Sequence, residues 1–212
     1  MPSKSERRRA QLLQLGVELF TNKPYDEVVV EDVAAAAGIS KGLLYHYFGN
    51  KKAFYLSCVQ SVATQLFGDL QTIDTENPAL AVEEGLRRFL DYLDVHGKVY
   101  QALLTGAAGG ELSIRQMFEQ TRQLIASLIL SSVGVDPTHP IYRSTARSWV
   151  GAVESAALDR LAHGDPDREA FISMQSMALA DRLLHAHHLA PNASSPRLLE
   201  AARAGRDHLL SG

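Results

Sequence analysis

Cysteine is nearly absent from this sequence, which contains Cys58 alone among its 212 residues. A single cysteine excludes an internal disulfide framework and is typical of a protein that works in a reducing compartment. Cys58 lies in an apolar stretch with helical spacing. This setting favours an inert buried thiol over a redox sensor.

Long apolar runs are also missing. No run of about 18 consecutive apolar residues, the length that suggests a membrane-spanning helix, occurs in the chain. The polar and basic segment 1–9 is not followed by an apolar stretch, so we do not expect a secretory signal. These observations predict a cytoplasmic protein with no membrane segment. Hydrophobic residues make up 46% of the chain, enough for a sizeable core.

Charge of one sign is not strongly in excess, because the formal net charge is only −3. This balance argues against a protein that coats nucleic acid along its whole surface. The distribution is uneven, with a net charge of +2 over residues 1–52 and −5 over the remainder. A mildly basic head on an acidic body suits a chain that presents one end to DNA.

Motifs of catalysis and metal binding are scarce. The sequence has no HExxH metal motif, no recognisable cysteine and histidine nucleophile pair and no glycine-rich phosphate loop. His185, His187 and His188 cluster near a predicted helix end, where histidines interact favourably with the helix dipole. His185 and His188 have a spacing compatible with a metal, but no third ligand is evident. We therefore expect no enzyme activity, no cofactor and no metal.

Helical periodicity dominates the chain, and no convincing strand is present. The short β-branched run 28–30 precedes Glu31 and Asp32, whose charges suit the first turn of a helix, so we interpret it as a helix entry. The pattern predicts an all-α chain of about nine to ten helices. Four are expected near the N-terminus, at Ser5–Thr21, Glu31–Ala37, Lys41–Phe48 and from Asn50, which can cap the fourth. Later segments are expected at 78–96, 98–107, 111–133, 140–163, 166–189 and 196–210.

The most informative stretch is 33–48, which has the features of a helix-turn-helix. Gly38 can adopt the left-handed conformation that closes a helix, and Ser40 can cap the next one. The alanines before Gly38 are small enough for two helices to cross closely. Two short helices joined by such a turn can place the second helix in a DNA major groove.

The second of these helices has two different faces. Leu44 and Phe48, four residues apart, should point to the core. The opposite face presents a mixture of basic, small and aromatic groups: Lys41, Gly42, Leu43, Tyr45, His46 and Tyr47. Hydroxyl and ring N–H groups are suited to phosphate oxygens, which favours a DNA-binding face. The alternative is a core helix with surplus aromatic residues.

With these features the sequence resembles the TetR (tetracycline-repressor-like) family of transcription regulators. The resemblance rests on Glu18-Leu19-Phe20, Tyr25-Asp26, the stretch 33–40, Leu44 to Phe48 and Asn50-Lys51-Lys52. It implies a three-helix DNA-binding domain over 1–52, followed by a helical ligand-sensing and dimerisation domain over 53–212. It further implies that Lys41, Gly42 and Leu43 approach base edges, that Tyr45, Tyr47 and Lys51 contact phosphates, and that His46 does either.

Three features near the N-terminus depart from this pattern or leave a choice open. Pro24 stands where the family usually has glycine, and Val29 stands where a hydroxyl residue usually caps the second helix. Val29 cannot accept the capping hydrogen bond, a local loss of about 1 kcal/mol. Arg7, Arg8 and Arg9 are either a solvated, frayed terminus or an arm that adds phosphate or minor-groove contacts.

The resemblance implies that the remainder of the chain binds a small molecule and forms a homodimer through helices at about 140–163 and 166–189. A monomeric bundle would have a similar composition. Candidate ligand-binding residues combine an apolar body with a polar tip or form an apolar wall: Phe89, Tyr92, His96, Tyr100, Phe118, Trp149 and Glu154. The function implied is a repressor that binds a palindromic operator as a dimer. The alternative is the same DNA-binding dimer regulated by a protein partner or by no ligand.

Overall fold

The computed structural model describes residues 3–104 and 112–211. Within these ranges the chain forms nine α-helices, two short 3-10 helices and no strand, which confirms the all-α prediction. The α-helices are α1 Lys4–Asn22, α2 Val30–Ala36, α3 Lys41–Phe48, α4 Lys51–Gln71, α5 Pro78–Leu104, α6 Leu112–Ser132, α7 Pro140–His163, α8 Arg168–Leu189 and α9 Pro196–Ser211. The 3-10 helices are Tyr25–Glu27 and Pro191–Ala193.

Local capping signals set the ends of the N-terminal helices. The Ser3 hydroxyl accepts a hydrogen bond from the Glu6 N–H, and the Glu6 carboxylate accepts one from the Ser3 N–H, so α1 begins with a capping box. The Asn50 side chain accepts the Ala53 N–H at 2.8 Å, as predicted for the cap of α4. Val29 stands at the N-cap of α2 without a side-chain cap bond, also as predicted.

Helix α5 corrects one prediction. The segments 78–96 and 98–107 were expected to be separate helices, whereas one helix runs through Gly97 to Leu104. Glycine lowers helix stability by only about 1 kcal/mol, and the buried positions continue through it in helical register, at Leu86, Leu90, Leu93, Gly97 and Tyr100. An uninterrupted apolar stripe therefore outweighs one glycine. Residues 105–107 of the second predicted segment lie outside the described residues.

The chain divides into two compact units, one formed by Met1–Gly68 with Val95–Met117 and the other by Asp69–Asp94 with Phe118–Gly212. The core of the first unit includes the fully buried side chains of Leu12, Val33, Leu44 and Phe54. The domain boundary between residues 52 and 53 stays a prediction.

The second unit is held together by α7, α8 and α9. The indole N–H of Trp149 in α7 donates to the Gln175 carbonyl in α8 at 2.9 Å. The Tyr142 hydroxyl donates to the Ala190 carbonyl just after α8 at 3.3 Å. Phe171, Ile172 and Leu198 are almost completely buried in the same unit. None of the helices in residues 3–104 and 112–211 is both long enough and apolar enough to cross a lipid bilayer.

Candidate nucleic-acid interface

The turn between α2 and α3 is built by backbone hydrogen bonds around Gly38. Gly38 has a φ of 65°, the left-handed conformation predicted for it. The Ile39 N–H donates to the Ala34 carbonyl at 2.9 Å and the Gly38 N–H donates to the Ala35 carbonyl at 3.0 Å. This pair of bonds is a Schellman motif, which ends α2 and redirects the chain within two residues.

Ser40 begins α3 immediately after that turn. Its hydroxyl accepts the Leu43 N–H at 3.2 Å, so the predicted cap is confirmed. Residues 38–42 also match the Gly-x-Ser-x-Gly spacing of a hydrolase nucleophile elbow, but such an elbow joins a strand to a helix. Here a helix precedes Ser40, and the hydroxyl is used as the helix cap. The spacing in this chain belongs to a helix-turn-helix.

The inward faces of α2 and α3 form a small apolar core. Val33 and Leu44 are completely buried, and Ala34, Ala37 and Phe48 are buried to at least nine-tenths. The predicted inward positions of Leu44 and Phe48 are therefore confirmed. Val33 is buried with them, and Ile39 is half-buried beside them. Small side chains at positions 34 and 37 let the two helices cross closely, which fixes the direction of α3 relative to α2.

The outward face of α3 carries the predicted DNA-contacting residues together. Lys41, Gly42, Leu43 and His46 are exposed, whereas Tyr45 and Tyr47 are half-buried. Leu43 leaves 40% of its surface exposed, so an apolar group is accessible on this face. The rings of His46 and Tyr47 meet edge-on with centroids 6.1 Å apart. This face therefore presents a basic group, a large apolar group, phenol rings and an imidazole on one short helix.

Lys41 is held by an ion pair that crosses from α3 to α2. Its ammonium lies 2.5 Å from Glu31 Oε1 and 5.5 Å from the centre of the Tyr45 ring. The hydrogen bond with Glu31 raises the pKa of Lys41 and lowers the pKa of Glu31. Sequence reasoning missed Glu31, because residues ten apart meet only once the crossing of two helices is known.

Lys51, on the first turn of α4, is held by neutral groups. Its ammonium lies 4.5 Å from the centre of the Tyr25 ring and donates to the Asp26 carbonyl at 3.4 Å. Tyr25 stacks on Phe20 and meets the Tyr55 ring edge-on. A buried aromatic cluster thus positions Lys51, and Tyr25 is a second residue whose part in the interface the sequence did not reveal.

The three arginines near the N-terminus lie within α1, after its capping box. The Arg9 guanidinium stacks over the Phe48 ring at 5.2 Å, and Arg8 donates to the Gln11 side chain at 2.8 Å. Segment 7–9 is therefore a capped helical turn rather than a frayed terminus, and its phosphate or minor-groove contacts stay a prediction. Arg9 is in contact with the end of α3.

The candidate ligand-binding residues are divided between the two units. His96 and Tyr100 belong to the first unit, whereas the second contains Phe89, Tyr92, Phe118, Trp149 and Glu154. Burial lowers the pKa of His96, which favours the neutral imidazole, and burial raises the pKa of Tyr92. Tyr100, Phe118 and Trp149 are buried, and the Trp149 N–H is already used by the Gln175 carbonyl.

Glu154 takes part in a charge network between α6 and α7. Arg122 Nε donates to Glu154 Oε2 at 2.5 Å, and Arg122 also lies 3.7 Å from Glu119. Arg147 forms a bidentate pair with Glu119, which raises the pKa of Arg147 and lowers that of Glu119. The Glu154 carboxylate is therefore compensated by an arginine of α6.

One further surface bears on the sequence predictions. A groove of about 330 Å³ on α7 and α8 is lined by Thr145, Ser148, Asp181, Arg182 and His185. It lies on the two helices predicted to mediate dimerisation.

In the part of the chain that is described, no three histidine, cysteine or carboxylate side chains are grouped to hold a metal ion.

Comparisons with known proteins match both parts of the chain. Residues 12–58 match the model of bacterial regulatory proteins of the tetR family, and residues 78–188 match the tetracyclin repressor-like C-terminal domain. The chain is 36% identical over 86 residues to the HTH-type transcriptional repressor KstR2 of Mycolicibacterium smegmatis, a match that spans 40% of this chain and 42% of the relative. It is 29% identical over 159 residues to the repressor Rv3405c of Mycobacterium tuberculosis, which spans 74% of this chain and 73% of the relative.

Solved structures give a match over the full length of the chain. A tetR-family transcriptional regulator from Streptomyces coelicolor superposes with a TM-score of 0.79 and 27% identity, covering 100% of this chain and 90% of the other. A TetR-like regulator from Rhodococcus sp. RHA1 superposes with a TM-score of 0.60 and 25% identity, covering 87% and 99% respectively.

Proposed function

This chain belongs to the TetR family of helix-turn-helix transcription regulators, and on that basis we propose that it is a repressor that binds a palindromic operator as a homodimer. The observation that carries the proposal is the outward face of α3, which presents Lys41, Leu43, His46 and Tyr47 on a helix fixed by the Gly38 turn. Regulators of this family are not enzymes. Because a DNA-binding regulator must reach DNA in order to act, the proposed function supports a cytoplasmic location.

Within the interface, Lys41, Gly42 and Leu43 are proposed to approach base edges in the major groove. Lysine can donate to guanine O6 and N7, a side chain with an exposed methyl group can contact the thymine methyl, and Gly42 permits close approach of the helix backbone. Tyr45, Tyr47 and Lys51 are proposed to contact phosphates on either side, with His46 among them. Phosphate contacts position the helix and base contacts select the sequence.

The homodimer is proposed to form through α7 and α8. In the single chain Met174 and Leu189 of α8 expose 59% and 60% of their surfaces, and a second copy would cover such apolar groups. Ser148 and Ser155 are exposed on α7, where small side chains permit close approach of another helix. Two recognition helices about 34 Å apart would then meet successive major grooves on one side of DNA.

A small-molecule effector is proposed to bind in the second unit, next to Phe89, Tyr92, Phe118 and Glu154. The match of residues 78–188 to the tetracyclin repressor-like C-terminal domain supports this assignment. Because Arg122 already compensates Glu154, an effector with a cationic group would have to compete with an arginine for that carboxylate. Trp149 stays a predicted effector contact in the same unit, and the contacts of His96 and Tyr100, which belong to the first unit, stay predictions from the sequence.

Selection of DNA from a random duplex pool by the full-length chain tests the proposed function. The expected result is enrichment of a two-fold symmetric sequence, bound by two protomers in sedimentation velocity. Enrichment of no sequence, or of an asymmetric site bound by one protomer, would contradict the proposal.

A pair of hydroxyl deletions tests the assignment of the face. Tyr47→Phe should weaken binding to the selected duplex by about tenfold or more, since a hydrogen bond to a charged group contributes about 1.5–3 kcal/mol. Tyr142→Phe is the matched control, because its hydroxyl donates to the Ala190 carbonyl inside the second unit. It should lower the free energy of unfolding and leave DNA affinity unchanged. Equal effects of the two variants on DNA affinity would remove Tyr47 from the interface.

Screening small molecules for release of the selected duplex tests the effector. Release by a compound whose effect is lost in Phe118→Ala, with DNA binding retained, would support the proposed site. A compound whose effect is unchanged by substitutions at all four proposed positions would contradict it.

A further inference from the structure

The first turn of α2 presents two carboxylates, and each is paired with a lysine from a different element. Glu31 lies 2.5 Å from Lys41 of α3, and Asp32 lies 3.7 Å from Lys23, which precedes α2. The four side chains are about half exposed, with relative accessibilities of 48–52%. Of these two pairs, only that of Glu31 with Lys41 includes a residue on the outward face of α3.

The Lys41 ammonium is confined from two sides. Glu31 accepts its hydrogen bond from the direction of α2, and the Tyr45 ring lies one helical turn further along α3 at 5.5 Å. Tyr45 is itself half-buried and therefore restricted in its motion. A flexible four-carbon side chain thus has a preferred direction before DNA arrives, which reduces the entropy lost on binding.

Lys51 provides an internal comparison. Its two partners, the Tyr25 ring and the Asp26 carbonyl, are neutral, so neither of them balances the positive charge of the lysine. An uncompensated charge attracts phosphate at any DNA sequence. The charge of Lys41, in contrast, is balanced by a carboxylate that touches it, so its attraction for a distant phosphate is largely cancelled.

We propose that Glu31 is a positioning residue for DNA sequence recognition, which holds Lys41 for a base edge and suppresses its attraction for phosphate. The inference rests on the proposed placement of α3 in the major groove. At the correct sequence the acceptors of a base replace or supplement Glu31. At a wrong sequence no base acceptor is in place for Lys41. The repulsion between the Glu31 carboxylate and the negative DNA is then not offset by a base contact. Glu31 therefore lowers affinity for unrelated DNA more than affinity for the operator.

Four variants of the full-length chain test the role: Glu31→Gln, Asp32→Asn, Lys41→Ala and the double variant Glu31→Gln with Lys41→Ala. The probes are the duplex selected by the wild-type chain and a scrambled duplex of the same length and composition. Asp32→Asn is the matched control, since it removes the same charge from the adjacent residue and frees a lysine outside α3. Affinity is measured by fluorescence anisotropy over a range of salt concentrations.

Glu31→Gln is expected to raise affinity for the scrambled duplex about two- to fivefold, the range of an exposed ion pair. The dependence of log K on log salt for that duplex should steepen by about 0.9, one additional phosphate contact. The ratio of selected to scrambled affinity should fall. Asp32→Asn should raise both affinities alike and keep the ratio. In the Lys41→Ala background, Glu31→Gln should no longer change the ratio.

Two results would overturn the inference. One is an unchanged ratio in Glu31→Gln, and the other is an equal change of ratio with and without Lys41, which would make Glu31 only a negative charge near DNA. If Lys41→Ala changed the affinity for neither duplex, both this inference and the proposed contact of Lys41 with a base edge would be wrong. Selection of a palindrome would still support the proposed function. Glu31→Asp, which keeps the charge and shortens its reach, replaces Glu31→Gln if that variant does not fold.

Discussion

The ammonium group of Lys51 lies 4.5 Å from the centre of the Tyr25 ring, so the 3-10 helix before α2 positions a lysine on the first turn of α4. Phe20 and Tyr55 contact the same tyrosine, with ring centroids 6.1 Å and 5.0 Å away. Helix α1, the 3-10 helix Tyr25–Glu27 and α4 therefore share one aromatic cluster. The cluster places a cation at the edge of the proposed DNA-binding face.

Lys51→Ala is expected to weaken binding to every DNA sequence by a similar factor. Because the lysine is proposed to contact phosphate, the slope of log K against log salt should fall by about 0.9. Arg203→Gln, a charge loss on the exposed face of α9, is the control and should leave the slope unchanged. Anisotropy titrations at several salt concentrations measure both. Loss of affinity with an unchanged slope in Lys51→Ala would contradict a phosphate contact.

Gly38→Ala and Gly42→Ala should change stability in opposite directions. Gly38 has a φ of 65° with open space around it, so an added Cβ meets only backbone strain, about 1–2 kcal/mol. Gly42 is helical, its nearest neighbouring atom is 3.9 Å from a built Cβ, and alanine should stabilise α3 by about 0.5–1 kcal/mol. Urea unfolding measures both changes. Gly42→Ala should nevertheless weaken binding to the selected duplex if its backbone approaches base edges.

Gly16→Ala should destabilise the first unit through a steric effect. A Cβ at Gly16 would lie within 3.0 Å of Phe54 Cζ and Cys58 Sγ, both in α4 and both buried. Since two buried side chains would have to shift, we expect a loss of about 1–3 kcal/mol in the free energy of unfolding. Gly68→Ala, at a helical position with nothing within 4 Å, should be neutral or stabilising. Equal effects of the two variants would show that α1 and α4 are not closely packed at Gly16.

The Arg122–Glu154 pair should contribute more to stability than an exposed pair. Its side chains are 21% and 13% exposed, so solvent screens the interaction only in part. A double-mutant cycle with Arg122→Gln and Glu154→Gln should give a coupling free energy of about 1–2 kcal/mol. The same cycle on Lys23 and Asp32, which are about half exposed, should give about 0.2–1 kcal/mol. Equal coupling in the two cycles would contradict a role of burial.

Cys58 should be unreactive in the folded protein and should make stability fall at high pH. Burial raises the pKa of the Cys58 thiol, and the positive charge of Arg9 offsets this only in part. The stabilising contribution is therefore complete below the unfolded pKa, about 8.5, and is lost as the pH rises above it, because only the unfolded chain ionises readily. The stability difference between wild type and Cys58→Ala should shrink between pH 7.5 and 9.5. A constant difference, or rapid alkylation of the native thiol, would show that Cys58 is accessible.

Features set by neighbouring residues in the sequence could be predicted. Gly38, Ser40 and Asn50 are local signals, because each acts on backbone groups within a few residues, and the structure places all three as expected. The inward positions of Leu44 and Phe48 followed from their spacing. The bounds of α3 and α7 matched the predicted ones for the same reason.

Features that depend on how helices cross could not be predicted. The pair of Glu31 with Lys41 and that of Arg122 with Glu154 join residues 10 and 32 apart, and helix periodicity carries no information on either. The segments 78–96 and 98–107 were predicted as separate helices, whereas the apolar stripe that continues through Gly97 joins them in one helix. The polar tip of Trp149 was likewise interpreted without its partner, the Gln175 carbonyl.

The most direct test of the central claim is an anisotropy titration of the full-length chain against the duplex flanking its own coding region, at two salt concentrations. A scrambled duplex of equal composition is the control. We expect saturable binding of two protomers to a palindromic segment, at least about a thousandfold tighter than to the scrambled duplex, and weaker at the higher salt. If selection from a random pool also enriches no sequence, equal and weak binding to both duplexes would contradict sequence-specific recognition by α3.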